Sequence, residues 1–131
     1  IRNILFQFTG RIMNYIENTA NKSNKQIVHE ILNYINENFT SNNISLNKIA
    51  ECFYLTPNYI SALIKQETGD NFSDIVVKKR IELAKELLFD ATNKTYEISE
   101  KVGYSNPNYF TRTFKKLVGM SPGEFRDKFC K

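Results

Sequence analysis

The chain has 131 residues and a mass of 15.3 kDa, enough for one domain or two small lobes of about 50 residues each. Hydrophobic residues make up 41% and charged residues 24%, the balance of a globular protein rather than a disordered one. No apolar run approaches the roughly 20 residues a membrane helix needs, so no membrane contact is expected of this stretch. The start, Ile1-Arg2-Asn3-Ile4-Leu5-Phe6-Gln7, has neither the long apolar core nor the cleavage site of a signal peptide. Two cysteines, Cys52 and Cys130, and the single histidine His29 are too few for a disulfide scaffold, a zinc finger or a cysteine–histidine enzyme. No metal, cofactor or catalytic group is therefore expected, and a reduced, cytoplasmic domain remains. The opening isoleucine, in place of methionine, reads as the start of a piece of something longer.

Net charge is +4 and the isoelectric point near 9.0, a mild excess pointing towards a polyanionic partner. Its distribution is uneven. Residues before Ser45 carry four Lys/Arg against three Asp/Glu, Ser45 to Asp90 six against seven, and Ala91 to Lys131 eight against four. The last third holds nearly all the net positive charge.

Helical periodicity dominates, and no alternating strand run stands out. Ile1, Leu5, Phe8, Ile12 and Tyr15 follow one stripe and predict an amphipathic helix to about Asn18, then a polar linker to Asn24. A second helix carries Ile27, Ile31, Leu32, Ile35 and Phe39 on one face. Ser45 caps a short helix with Leu46, Ile49, Ala50 and Phe53 inward. Thr56-Pro57 opens the next helix, a cap residue then proline at the first helical position, which buries Ile60, Leu63 and Ile64 and stops at Gly69. A long helix runs from about Phe72 to Asp90 on Ile75, Ile81, Ala84, Leu87 and Leu88. Thr95 caps a short helix with Ile98 and Val102, ended by Gly103. Asn106-Pro107 opens a helix burying Phe110, Phe114 and Leu117 and stopping at Gly119. Ser121-Pro122-Gly123-Glu124 is a capping box leading into Phe125 and Phe129, both read as core.

The strongest internal signal is a repeat. Ile49 to Lys65 recurs as Ile98 to Lys115, with Pro57-Asn58-Tyr59 matching Pro107-Asn108-Tyr109 and Gly69 matching Gly119. Each copy is short helix, tight turn, longer helix, the pattern of a helix-turn-helix. Two copies are too few for a solenoid. Buried positions are Ile60, Leu63 and Ile64 against Phe110, Thr113 and Phe114; outward ones are Asn58, Ser61 and Ala62 against Asn108, Thr111 and Arg112. A shared scaffold with divergent outer faces fits two reading heads.

These residues carry a resemblance. From about Val28 to Phe129 the chain resembles the DNA-binding domain of the AraC/XylS family of bacterial transcription regulators. The matching pieces include Ser45-Leu46, Ile49-Ala50, Tyr59-Ile60-Ser61, Lys65-Gln66-Glu67-Thr68-Gly69 and Arg80-Ile81-Glu82-Leu83-Ala84. They continue with Val102-Gly103-Tyr104, Tyr109-Phe110, Phe114-Lys115-Lys116, Gly119, Ser121-Pro122 and Phe125-Arg126. The resemblance implies an all-α fold of seven helices: a first helix-turn-helix lobe over 25–70, a linker helix over 71–90 and a second lobe over 91–131. Residues 1–24 would be an extra helix and linker from an upstream region, either a dimer seam or the end of a regulatory domain.

It also implies double-stranded DNA as partner, with helices 57–69 and 107–119 in successive major grooves about one helical turn apart. Asn58 and Asn108 suit adenine, and Arg112 suits the acceptors of guanine. Lys65, Lys115 and Lys116 lie a turn further on, where phosphates are the partners, and the hydroxyls of Tyr59 and Tyr109 reach in the same direction. Ser61 and Thr111 complete the outward faces. Ala62 departs from the large polar residue frequent at that place in the family and offers only an apolar contact. The second lobe is thus expected to anchor and the first to tune. RNA polymerase, a second copy of the chain, and an upstream ligand-binding or receiver domain are candidate partners.

Blander roles stand beside these. Asn58 and Asn108 follow the proline of a helix start and could serve as caps; Arg112 could sit in a surface ion pair. Tyr59 and Tyr109 could be packing residues, and Arg80 is read as structural, pairing between lobes. A helical protein-interaction module without DNA binding is the alternative function. An enzyme lacks a nucleophile–base pair, a placed carboxylate pair or a phosphate loop.

Overall fold

A computed structural model describes residues 23–130; the helix expected over 1–18 lies outside them. The described residues form seven helices and no strand. They are α1 (Asn24–Asn38), α2 (Leu46–Phe53), α3 (Pro57–Thr68), α4 (Phe72–Leu88), α5 (Thr95–Val102), α6 (Pro107–Val118) and α7 (Pro122–Phe129). The all-α expectation holds. The described residues divide into two compact units, 23–35 with 45–72, and 36–44 with 73–130.

In the first unit α1 begins earlier than the linker reading allowed. Ser23 and Gln26 form a reciprocal capping box: the Gln26 N–H donates to Ser23 Oγ at 3.2 Å and the Ser23 N–H to Gln26 Oε1 at 3.0 Å. The helix buries Ile27, Val28, Ile31 and Ile35, while Leu32 and Phe39 are only half-buried and Phe39 lies past the helix end. Ser45 Oγ accepts from the Lys48 N–H at 3.1 Å and starts α2. α2 packs against α3, the two contributing Ile49, Ala50, Phe53, Ile60, Leu63 and Ile64 to the core. The isoleucine, leucine and phenylalanine side chains among these each stabilise the fold by about 1.5–3 kcal/mol when fully buried.

The second unit is built round aromatic rings. Ile81, Ala84, Leu88, Ile98, Val102, Tyr104, Phe110, Phe114 and Phe125 form one buried cluster. Within it Phe110 and Phe114 lie 5.9 Å apart, and Phe114 and Phe125 lie 5.8 Å apart edge to face. Such ring pairs add about 0.5–1.5 kcal/mol each beyond their buried area. Arg126 ties the end of α4 to α7: its Nε donates to Leu88 O at 2.9 Å and its Nη2 to Asp90 O at 3.1 Å and Asn93 O at 2.7 Å. Leu88 O is one of the carbonyls that a helix C-terminus leaves without an intrahelical partner, and Asp90 and Asn93 lie in the turn beyond it.

Four readings need correction. Leu117 is 51% exposed, because the buried row of α6 steps by four residues from Phe110 to Phe114 to the half-buried Val118. Phe129 is 50% exposed at the last turn of α7, with its ring beside Phe125 and the Lys128 ammonium 5.3 Å from its centroid. Thr95 is the first residue of α5, and the cap position falls on Lys94, whose side chain cannot accept. Glu97 compensates by accepting from the Lys94 backbone N–H at 2.8 Å. Arg80 is structural, as expected, but the carbonyls it bonds, those of Phe39 and Ser41, belong to its own compact unit and not to a second one. His29 and Cys52 are exposed and both cysteines are free thiols.

Candidate nucleic-acid interface

The two longer helices of the repeat start in the same way. Thr56 Oγ1 accepts from the Tyr59 N–H at 3.1 Å, and Asn106 Oδ1 accepts from the N–H groups of Asn108 at 2.9 Å and Tyr109 at 3.3 Å. Proline follows each cap at the first helical position. Asn58 and Asn108 are therefore not the caps. Both are exposed, and their side-chain amides make no hydrogen bond with the described residues. Each unbonded amide keeps both its donor and its acceptor available.

One turn on, at i+4 and on the same face, stand Ala62 and Arg112, both exposed. Arg112 has no ion pair or hydrogen bond among the described residues, so its five donors remain available. Ser61 and Thr111 are half-buried at the edge of this face, and the Thr111 hydroxyl donates back to Pro107 O at 3.0 Å. Tyr59 is 44% exposed and Tyr109 50%. Tyr109 also packs on Tyr104, with ring centroids 5.7 Å apart, so it has a packing role while half of it stays exposed.

The lysines separate the two copies. Lys65 Nζ donates to Gly69 O at 2.9 Å, folding back onto the C-terminus of its own helix. Lys115 and Lys116 are both exposed and show no such bond. Lys115 adds to the charge near Glu124, whose carboxyl is held below the usual range first by the Ser121 backbone N–H, then by the Ser121 hydroxyl, and to a smaller extent by Lys115. The exposed face of α6 thus carries three cations, Arg112, Lys115 and Lys116, where α3 carries one that is already engaged.

The turns differ as well. Tyr54, at φ 56° and ψ 40°, closes α2 as the one non-glycine residue of positive φ among the described residues. Its counterpart in the second copy is Gly103 at φ 117°. A Cβ at Gly103 would lie 2.8 Å from Arg80 Nε, so a side chain there would have to displace the guanidinium besides taking up a left-handed φ. Tyr104 and Arg80, which the repeat did not single out, are the residues behind this turn. The signal that marks them is the change from Tyr54-Leu55 to Gly103-Tyr104 between the copies.

Among the described residues no group of three or more His, Cys, Asp and Glu side chains is disposed to hold a metal, and no helix is long and apolar enough to cross a membrane.

A family model described as a helix-turn-helix domain matches residues 49–128. The arabinose operon regulatory protein of Escherichia coli is 31% identical over 124 residues, which span 95% of this chain. The chain belongs to the AraC/XylS family. A Bacillus subtilis member, the HTH-type transcriptional regulator YtdP, is 33% identical over 93% of the chain. The C-terminal domain of AraT, a response regulator from Geobacillus stearothermophilus, is 38% identical, with a TM-score of 0.75 over 78% of this chain and 84% of that one. The chain spans 16% of the length of YtdP and 42% of the arabinose regulator. The region shared with the family is therefore the paired helix-turn-helix region itself.

Proposed function

We propose that the chain is the double-stranded-DNA-reading part of a transcription regulator, acting by binding rather than turnover. α3 and α6 enter successive major grooves. Asn58 and Asn108 contact adenine, Arg112 contacts the O6 and N7 acceptors of guanine, and Ala62 lies against a thymine methyl. Lys65, Lys115 and Lys116, with the hydroxyls of Tyr59 and Tyr109, contact phosphates, while Ser61 and Thr111 line the groove-facing edge. The second lobe anchors and the first tunes. The observation that carries the reading is Arg112: exposed and unpaired, one turn from the free amide of Asn108, on a helix capped by Asn106.

An upstream ligand-binding or receiver domain supplies the input, as the response-regulator relative suggests for its own chain. A second copy adds the affinity that one pair of lobes lacks, RNA polymerase is the machinery acted upon, and the site of action is the cytoplasm.

The test is selection from random duplexes of about 25 base pairs, long enough for two adjacent grooves, at two salt concentrations. Two short half-motifs about one turn apart are expected, the stronger one bound by α6, with affinity falling steeply in salt. No enrichment of any motif, together with a salt-insensitive protein complex, would replace this reading with a protein-interaction module.

A further inference from the structure

Arg80 occupies an unusual place. Its Nε donates to Phe39 O at 2.7 Å and its Nη2 to Ser41 O at 2.8 Å, so two backbone carbonyls hold the guanidinium in one plane. No carboxylate among the described residues pairs with it. Instead its charge lies over the Tyr104 ring, 4.9 Å from the centroid, and against Gly103, where any Cβ would meet the guanidinium at 2.8–3.0 Å. Arg80 therefore presses on the turn that launches α6. Tyr104, 7% exposed, is caught between: its other neighbours are Tyr109 and Phe110, each with its ring centroid 5.7 Å away. In the first unit the corresponding turn carries the Tyr54 side chain where Gly103 admits the arginine.

Resting on the DNA reading above, we infer that Arg80 is a positioning residue for α6: it acts through the Tyr104 ring to set where Tyr109 presents its hydroxyl to a DNA phosphate. Arg80 itself is not a DNA contact. The reason is geometric. Tyr109 is half-exposed, its ring packs on Tyr104, and its hydroxyl makes no hydrogen bond with the described residues. A hydrogen bond weakens steeply over a few tenths of an ångström and a few tens of degrees, so a Tyr104 ring released from Arg80 misplaces that hydroxyl without unfolding the unit. Lysine keeps the charge but lacks the planar fork that spans two carbonyls and stacks on a ring.

The experiment is a double-mutant cycle on the affinity of the chain for a selected duplex, with thermal unfolding of every variant as the control for folding. Arg80→Lys and Tyr109→Phe should each raise Kd about fivefold, and the double variant should also stay near fivefold, since both remove the same contact. A double variant near 25-fold would mean independent effects and would overturn the inference, as would a Tyr109→Phe variant of unchanged affinity. If Arg80→Lys fails to fold, Tyr104→Leu takes its place in the cycle, with the same two outcomes; Tyr104→Phe, which keeps the ring, should bind like the parent. A parent chain that binds no duplex sinks the DNA reading itself. Binding with a multiplicative cycle sinks only the role of Arg80.

Discussion

The first and second helix-turn-helix units follow one plan and diverge at the turn and on the outer face. In the first, Tyr54 adopts a left-handed conformation that costs a side-chain-bearing residue about 1–2 kcal/mol. In the second the corresponding residue is Gly103, with the guanidinium of Arg80 beside it. On the outer face, the first unit offers Ala62 and a lysine turned back on Gly69, the second Arg112, Lys115 and Lys116. The duplicated scaffold thus keeps the helix-turn-helix plan while side chains diverge on both faces: Ile60, Leu63 and Ile64 stand against Phe110, Thr113 and Phe114 inside, and Ala62 against Arg112 outside.

Exchanging the turn residues should break the comparison most visibly. Gly103→Tyr forces a Cβ at φ 117° into the guanidinium of Arg80 and should cost about 2–4 kcal/mol in urea unfolding. Tyr54→Gly relieves strain while losing a half-buried ring and should stay within about 1 kcal/mol of the parent. Equal costs would mean that the two turns are held alike.

On DNA, Arg112→Ala should lose about 1–3 kcal/mol and relax the preference at one base pair, read from the selected duplex and its single-base variants. Unchanged affinity and preference would remove α6 as the anchor. Among the lysines, Lys116→Ala should lower the slope of log affinity against log salt by about one, for all sequences alike. Lys65→Ala should move it less, its ammonium already holding Gly69 O.

The smallest effect is expected in acid. The Asp90 carboxyl is held below its usual range by the Thr92 hydroxyl first and the Thr92 backbone N–H next, with smaller help from Lys101 and Arg126. A depressed carboxylate stabilises the fold above its unfolded pKa near 4 and loses that contribution as pH falls through the folded value. Asp90→Asn should therefore flatten part of the acid limb of stability in unfolding series run from pH 7 to pH 2. An unchanged limb would show that the Thr92 contacts do not persist in solution.

Much of this fold is legible in the residue order. Thr56-Pro57, Asn106-Pro107 and the Ser121–Glu124 box announce helix starts because the first-turn N–H groups need acceptors and proline needs none of its own. The repeat marks both reading helices and, with them, the exposed positions 58, 62, 108 and 112. Illegible were the cap at Lys94, where the acceptor comes from Glu97, and the box at Ser23, hidden in a polar run. Leu117 and Phe129 fit the apolar period and still face solvent, since a period counts residues along a helix and says nothing of how far the covering element extends.

By itself, then, the sequence determined the helices, their duplication and the chemistry offered on each outer face, all set by neighbours a few positions apart. Tertiary structure alone decided that Arg80 grips the carbonyls of Phe39 and Ser41 and leans on Tyr104. Those carbonyls lie some 40 positions back along the chain, and carbonyls, which every residue carries, leave no mark in a sequence to show which arginine will find them.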